Sequence, residues 1–237
     1  MSQYEIRQAL SLLHVHDAVN LEKHRVGEGH DGGYVMAHDW QGVQEAVSVG
    51  IGDNVNWDLD VAQQGILVHQ YDASLQAPPV SHPQFDFHSL QVTDIAGARA
   101  LTLERATPAC ESVLKMDIDG QEWQVLDFVN EKVLTNYRQI VVEFHGLHLM
   151  VNPMLRERYA RVWSKLLANH RCIHVHGNNY AGWELLFNVC VPQVIEVTYL
   201  RKDRSDFVPN TGVFPTVLDR PNNADAPDHW LGSWRWL

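Results

Sequence analysis

The segment Ala46-Val47-Ser48-Val49 runs as an apolar strand straight into Gly50-Ile51-Gly52-Asp53-Asn54, and this junction most constrains what the chain can fold into. A glycine pair at the C-terminal end of a strand lets the backbone turn with positive φ and lets a ligand approach it closely. A second strand over residues 65–71 ends in Asp72, and an acid roughly 20 positions after the turn suits the two hydroxyls of a ribose. A dinucleotide fingerprint would add a third glycine for close helix packing and a helix N-terminus facing a pyrophosphate, and Val55 stands at that third place. The pattern predicts an adenosine-containing cofactor without phosphates, such as S-adenosylmethionine. The alternative is an ordinary strand-turn-helix connection.

At 237 residues, the chain is long enough for one α/β domain with a proper core. We read 1–45 as an N-terminal helix and lid loop, 46–201 as the core and 202–237 as an irregular tail. The net charge of −11 opposes binding to a nucleic-acid backbone, so the expected partner is a small molecule or a neutral glycan. Cys110, Cys172 and Cys190 show no C-x-x-C spacing, and an odd count argues against a disulfide framework. No basic leader followed by an apolar run opens the sequence, and no stretch suits a bilayer span, which predicts a soluble cytoplasmic protein with no membrane partner. Nothing in the sequence fixes the oligomeric state.

Residues 4–18 carry Ile6, Leu10, Leu13 and Val15 at roughly helical spacing, which predicts a leading amphipathic helix. Residues 25–36 hold four glycines before a short apolar run, a loop entering a strand and a candidate lid over the cofactor. Further strands are predicted at 85–90, 112–117, 140–145, 172–176 and 194–200, with helices through Trp123 to Val129 and over 153–169. Strands alternating with helices predict a doubly wound sheet with ligands at the carboxyl ends of its strands. The tail from Arg204 reads as loop, with Trp230, Trp234 and Trp236 packing it onto the domain.

In such a sheet, Asp117 and Asp119 follow one strand, Glu143 and His145 end the next, and His174 and His176 lie on another. Residues two apart in a strand share a face, so Glu143 pairs with His145, and His174 with His176. Burying these ionisable groups costs several kcal/mol unless they are hydrogen-bonded, paired or metal-bound. A divalent metal, Mg²⁺ or Mn²⁺, held by Asp117, Asp119, Glu143 and His145 is one solution. Helix capping by Asp117-x-Asp119 is the plainer one. His145 suits a general base, since imidazole titrates near neutral pH, with Asp117 as orienter or ligand. The turn His176-Gly177-Asn178-Asn179-Tyr180 offers hydrogen bonds to a sugar or carboxamide, or simply ends a strand. Lys115, within an apolar strand, is expected to snorkel or to pair with an acid.

Five segments together resemble the FkbM-like methyltransferases that use S-adenosylmethionine, especially their methyltransferase-like-24 branch. These are Arg25-x-Gly27 with Asp31-Gly32-Gly33-Tyr34-Val35, then residues 48–53, Tyr71-Asp72, Leu114-Lys115-Met116-Asp117-Ile118-Asp119-Gly120 with Glu122-Trp123, and Val142-Glu143-Phe144-His145. The resemblance spans roughly residues 22–201. It implies a class I methyltransferase fold, a Rossmann-like doubly wound sheet of seven strands with an antiparallel last strand. It places the cofactor over Gly50, Gly52 and Asp53 with its ribose on Asp72, and adds Asp31, Gly33 and Tyr34 from the loop. It implies O-methylation of a sugar, glycan or other small-molecule hydroxyl. Ser48 stands where an acid is usual in that family, and Asn54 where a third glycine is usual. Two other readings stand beside it. A metal-dependent nucleotide-sugar glycosyltransferase would use Asp117-x-Asp119 but leaves Gly50-Ile51-Gly52 without a distinctive role. A cofactor-binding module without turnover would keep the fold alone.

Overall fold

Residues 2–27 and 29–236 are described by the computed structural model, and Met1, Glu28 of the glycine loop and Leu237 lie outside the described residues. Helix α1 (Gln3–Leu10) opens with a capping box in which the Ser2 backbone N–H donates to the Glu5 carboxylate at 2.7 Å. The predicted helix stops eight residues short of Ala18, because the apolar spacing tightens to alternation at Leu13 and Val15. Residues Ser11–Leu13 make a 3-10 turn and His16–Ala18 form strand β1. The glycine loop is the turn of an antiparallel hairpin, β2 (Lys23–Val26) with β3 (Tyr34–Ala37), so the expected lid is anchored by a strand on each side.

The next stretch follows the predicted rhythm. Strand β4 (Glu45–Val49) leads through the glycine turn into α2 (Asn56–Ala62), then β5 (Leu67–Tyr71) and β6 (Phe85–His88). A small parallel pair, β7 (Gln91–Thr93) and β8 (Ala100–Thr102), and helix α3 (Leu103–Ala106) precede β9 (Ser112–Met116). Helices α4 (Glu122–Phe128) and α5 (Glu131–Leu134) lead to β10 (Tyr137–His145). Helix α6 (Pro153–Asn169) starts as its sequence dictates: Pro153 supplies no N–H to the first turn, and the Asn152 side chain accepts from the Met154 N–H at 2.9 Å. Strand β11 (His170–Gly177), the hairpin β12 (Trp183–Leu186) with β13 (Val189–Pro192), and β14 (Val194–Arg201) follow. The tail reads as loop except for β15 (Phe207–Pro209), which pairs antiparallel with β1.

The central sheet has seven strands in the order β11-β14-β10-β9-β4-β5-β6, and only β14 runs against the rest. From β4 the chain winds outward through β5 and β6, then returns to β9 on the other flank. The strand order therefore reverses between β4 and β9, where ligands sit at the carboxyl ends of open α/β sheets. One face packs a core built from α1, α4 and α6, with Trp163, Phe144 and Leu126 fully buried. The other face is covered by α2 and the β2-β3 hairpin around Trp57, Tyr34 and Met36. Trp234 is buried and Trp236 packs against the first core, as predicted for the tail, whereas Trp230 is exposed. Among the described residues no helix is long and apolar enough to cross a membrane.

Candidate active site at the carboxyl edge of the sheet

The turn after β4 has the positive φ its glycines permit, +73° at Gly50 and +53° at Gly52. Gly50 is obligatory on contact grounds as well: a Cβ there would overlap the Asp117 carbonyl oxygen at the end of β9. At Gly52 a Cβ would meet no atom within 4 Å, because that residue borders an open cleft of about 560 Å³. Asp72, the last residue before the β5 loop, points its carboxylate at this turn. One oxygen accepts from the Gly52 N–H at 3.0 Å, and the other accepts from the Ser74 N–H at 2.8 Å.

The cleft is lined by both glycines, Asp53, Asp72, Asp31 and Asp117. Asp31 and Gly32 close one side from the hairpin turn, held there by the Asn54 side chain, which donates to the Asp31 carbonyl. Gly33 and Tyr34 are buried behind that turn and do not line the cleft. The Tyr34 hydroxyl is buried without a hydrogen-bond partner among the described residues. Burial and the charges of Asp117 and Glu143 push that phenol well above its ordinary value. Lys115 pairs as expected: its ammonium donates to the Gly50 carbonyl and lies 3.9 Å from Asp117.

Behind Asp117, which lines the cleft, His145, Asp117 and Glu143 place ligand atoms within 4.8 Å of one another, while His145 and Glu143 do not themselves line it. The His145 imidazole is oriented by Glu122, the first residue of α4, whose Oε1 lies 3.1 Å from Nδ1. The same oxygen accepts from the Ile118 and Gly120 N–H groups at 3.0 and 3.1 Å, so one buried carboxylate shapes the loop and aims the ring. His145 Nε2 then faces Glu143 at 3.7 Å and Asp117 at 3.9 Å. Asp119 does not join this group in the way the sequence suggests. It is 99% exposed at positive φ, and only its 3.9 Å approach to Nε2 links it to the ring.

Burial raises the Asp117 carboxyl above its usual range, and it raises Glu143 much further, where Asp117, Glu196 and Asp31 add their negative charge. Burial lowers the His145 imidazole, but the hydrogen bond and charge of Glu122, with Asp117 and Asp119, outweigh it and hold the ring above its ordinary value. One buried and one half-buried carboxyl on one imidazole either share protons or share a cation. Oxygen-rich ligation with one imidazole suits Mg²⁺ or Mn²⁺, and Glu122 is the outer-shell carboxylate such a histidine ligand requires.

His174 and His176 leave the cleft to others. Register places Glu143 opposite Glu196 and Glu196 opposite His176 across β10, β14 and β11, a polar row on one face. His176 bonds Glu196 at 3.1 Å and Asp228 of the tail at 3.0 Å, while His174 bonds Asp219 at 2.8 Å. Asn178 donates to Glu143 at 2.7 Å, and Asn179 donates to three tail carbonyls. Of the turn that offered contacts to a sugar, His176 and Asn179 are therefore committed to the tail and Asn178 to Glu143. Sequence reasoning missed the tail's acids and Asn222, which donates to both Asp31 and Glu196. Their only signal was a cluster of Asp and Asn in a region without periodicity.

No protein-family model matches the chain, and a search of curated proteins finds no match either.

Proposed function

We propose that this chain is a methyltransferase that uses S-adenosylmethionine to O-methylate a hydroxyl of a small molecule, sugar or glycan, on a class I methyltransferase fold. The observation that carries the reading is the cleft at the strand-order reversal, where the two-glycine turn and the Asp72 carboxylate converge. The cofactor fits the residues present. Gly52 leaves space that any side chain would fill, and Asp72 Oδ2, which accepts from the Gly52 N–H, retains acceptor capacity for a ribose hydroxyl, whereas Oδ1 already accepts from both the N–H and the hydroxyl of Ser74. About 560 Å³ lies within the range of small-molecule sites. The cofactor supplies an activated methyl group.

The chain's own residues do the rest. Gly50 and Gly52 bring backbone against the adenosyl group, and Asp72 fixes its ribose. His145 accepts the proton of the acceptor hydroxyl on Nε2, with Glu122 holding the ring in place through Nδ1. Asp117 stabilises the imidazolium that forms; alternatively, Asp117, Glu143 and His145 would hold a divalent cation, which would supply Lewis-acid activation of the acceptor hydroxyl. The net charge of −11 favours a neutral or cationic acceptor.

Calorimetric titration with S-adenosylhomocysteine, with and without Mg²⁺, tests this on wild type, Asp72→Asn and Asp72→Ala. Losing the charged acceptor of the ribose hydroxyls is worth about 3 kcal/mol, roughly a 100-fold weaker Kd. Binding lost in both variants supports the adenosyl site. Absence of wild-type binding under every condition overturns the proposal.

A further inference from the structure

A second cluster of ionisable side chains lies on the opposite face of the sheet from Glu143 and His145. His69 and Asp86 are register partners on the parallel strands β5 and β6, and Tyr71 and His88 are the next partners along. Because residues two apart share a face, the register alone gathers His69, Asp86 and His88 on one side. Tyr71, which shares that face, belongs to the core of α1, α4 and α6, whereas Val141, two residues from Glu143, belongs to the other.

His69 Nδ1 and His88 Nε2 each lie 3.0 Å from the same oxygen of Asp86. The three ligand atoms lie within 4.8 Å of one another. On the far side of the first ring, His69 Nε2 is 2.7 Å from a Glu45 oxygen on β4. Tyr71 stacks on the second ring with centroids 4.9 Å apart, which fixes its orientation. Of these residues only Tyr71 also lines the proposed methyl-transfer cleft; His69, Asp86, His88 and Glu45 do not.

Ligand atoms around a tetrahedral zinc with bonds of about 2.0–2.1 Å stand roughly 3.3 Å apart, so the 3.0 Å separations here need little adjustment. A ligating imidazole characteristically donates its other N–H to a carboxylate, which leaves the metal-facing nitrogen unprotonated. Glu45 occupies that partner position. Two imidazoles and one carboxylate also select against Mg²⁺ and Ca²⁺ and in favour of zinc-class ions. We propose that His69 Nδ1, Asp86 and His88 Nε2 bind a divalent ion of the zinc class, with Glu45 orienting His69 and solvent in the fourth position. The side chains of Asp86 and His88 are 48% and 34% exposed, which gives the ion an entry path and the open position its water. Such an ion cross-links edge strand β6 to β5 at the flank of the sheet.

The test uses untagged full-length protein and Co²⁺ as a spectroscopic probe, followed by displacement with Zn²⁺. Wild type and His145→Ala are expected to show the intense visible bands of four-coordinate Co²⁺, and His88→Gln and Asp86→Asn to lose them. Elemental analysis after dialysis should fall by about one zinc per chain in those two variants relative to His145→Ala. Only weak six-coordinate bands in wild type, or equal zinc content in wild type and both variants, would overturn the proposal. The wild-type spectrum decides even where a variant fails to fold. Loss of the bands in His145→Ala alone would assign the ion to the cleft and refute the site at β5 and β6. Failure of S-adenosylhomocysteine binding, by contrast, leaves this spectrum unchanged.

Discussion

Replacing Gly50 or Gly52 with alanine adds the same methyl group two residues apart, and the geometry predicts two different failures. Both residues sit at positive φ, where alanine costs about 1–2 kcal/mol. Gly52→Ala meets no atom, so its stability loss ends there. At Gly50 the new Cβ falls on the Asp117 carbonyl, and relief requires β4 and β9 to part at their ends. That movement strains the Gly50 N–H to Tyr71 carbonyl bond at 2.9 Å and the Asp117 N–H to Val49 carbonyl bond at 3.0 Å. At about 1 kcal/mol each, with the backbone strain, the loss comes to about 3–4 kcal/mol. Binding is expected to rank the other way per unit of stability. The Gly52→Ala methyl enters the cleft itself, and S-adenosylhomocysteine is expected to bind at least ~10-fold more weakly to a fold that is otherwise intact. Urea unfolding and calorimetry on the two variants measure both quantities. If Gly50→Ala is no less stable than Gly52→Ala, the backbone approach at β9 is wrong. If Gly52→Ala binds like wild type, the ligand does not run over this turn.

Glu122→Gln removes the charge that outweighs burial at His145, so the imidazole is expected to fall below its present raised value, followed by histidine NMR titration. The sign follows: stability from charged His145 is present below the unfolded value and lost as pH rises through the folded one, and the variant narrows that window. On β11, against the tail, burial lowers His176, but Glu196 and Asp228 outweigh it and carry the ring to about 10. Burial raises Asp219, but the His174 bond outweighs it and holds the carboxyl at about 2. Hydrogen-exchange protection of residues 214–232, taken relative to the intrinsic rate at each pH, should therefore be flat between about pH 4 and 6.5, weaken as pH rises toward about 10, and weaken again as pH falls toward about 2. Asp39→Ala removes a carboxylate 3.3 Å from the buried Arg138 guanidinium and 2.8 Å from Arg204, but Arg138 keeps Glu111 at 2.9 Å, so the expected cost in urea unfolding is about 1–2 kcal/mol.

Much of the sheet was legible because strands buried on both faces leave largely apolar runs, as the parallel β4, β9 and β10 and the antiparallel β14 do. The leading helix was overread because Leu13 and Val15 extend its apolar stripe, although Leu13 closes a 3-10 turn and residues 16–18 pair with β15 instead. The β12-β13 hairpin was missed because its exposed Trp183 and Leu185 break the alternation that would mark it. At the cleft, strand geometry sufficed to put Glu143 beside His145. Sequence did not reveal Glu122 as the residue that aims His145, because a glutamate opening a helix is common and its fold-back onto Ile118 and Gly120 exists only in three dimensions.

The least legible feature is also the one that explains the tail. Glu143 and Glu196 face each other directly across β10 and β14, and like charges in that position are destabilising. Burial makes the conflict worse, so the row persists only if other groups supply donors. Asn178, Asn222 and His176 supply them, and two of those three are set by the tail through the Asp31 bridge and Asp228. The tail thus seals the β14 and β11 half of the row, where every acid has a fixed donor. The β9 and β10 half is left different: Asp117 opens to the cleft, Glu143 has one donor from Asn178, and the Tyr34 hydroxyl has no partner among the described residues. The row is therefore divided into a half whose acid, Glu196, has donors on both oxygens, although Asn222 Oδ1 and His174 Nδ1 have no partner among the described residues, and a half beside the cleft where Glu143 has one donor. The half beside the cleft is where a proton acceptor or a cation has work left to do.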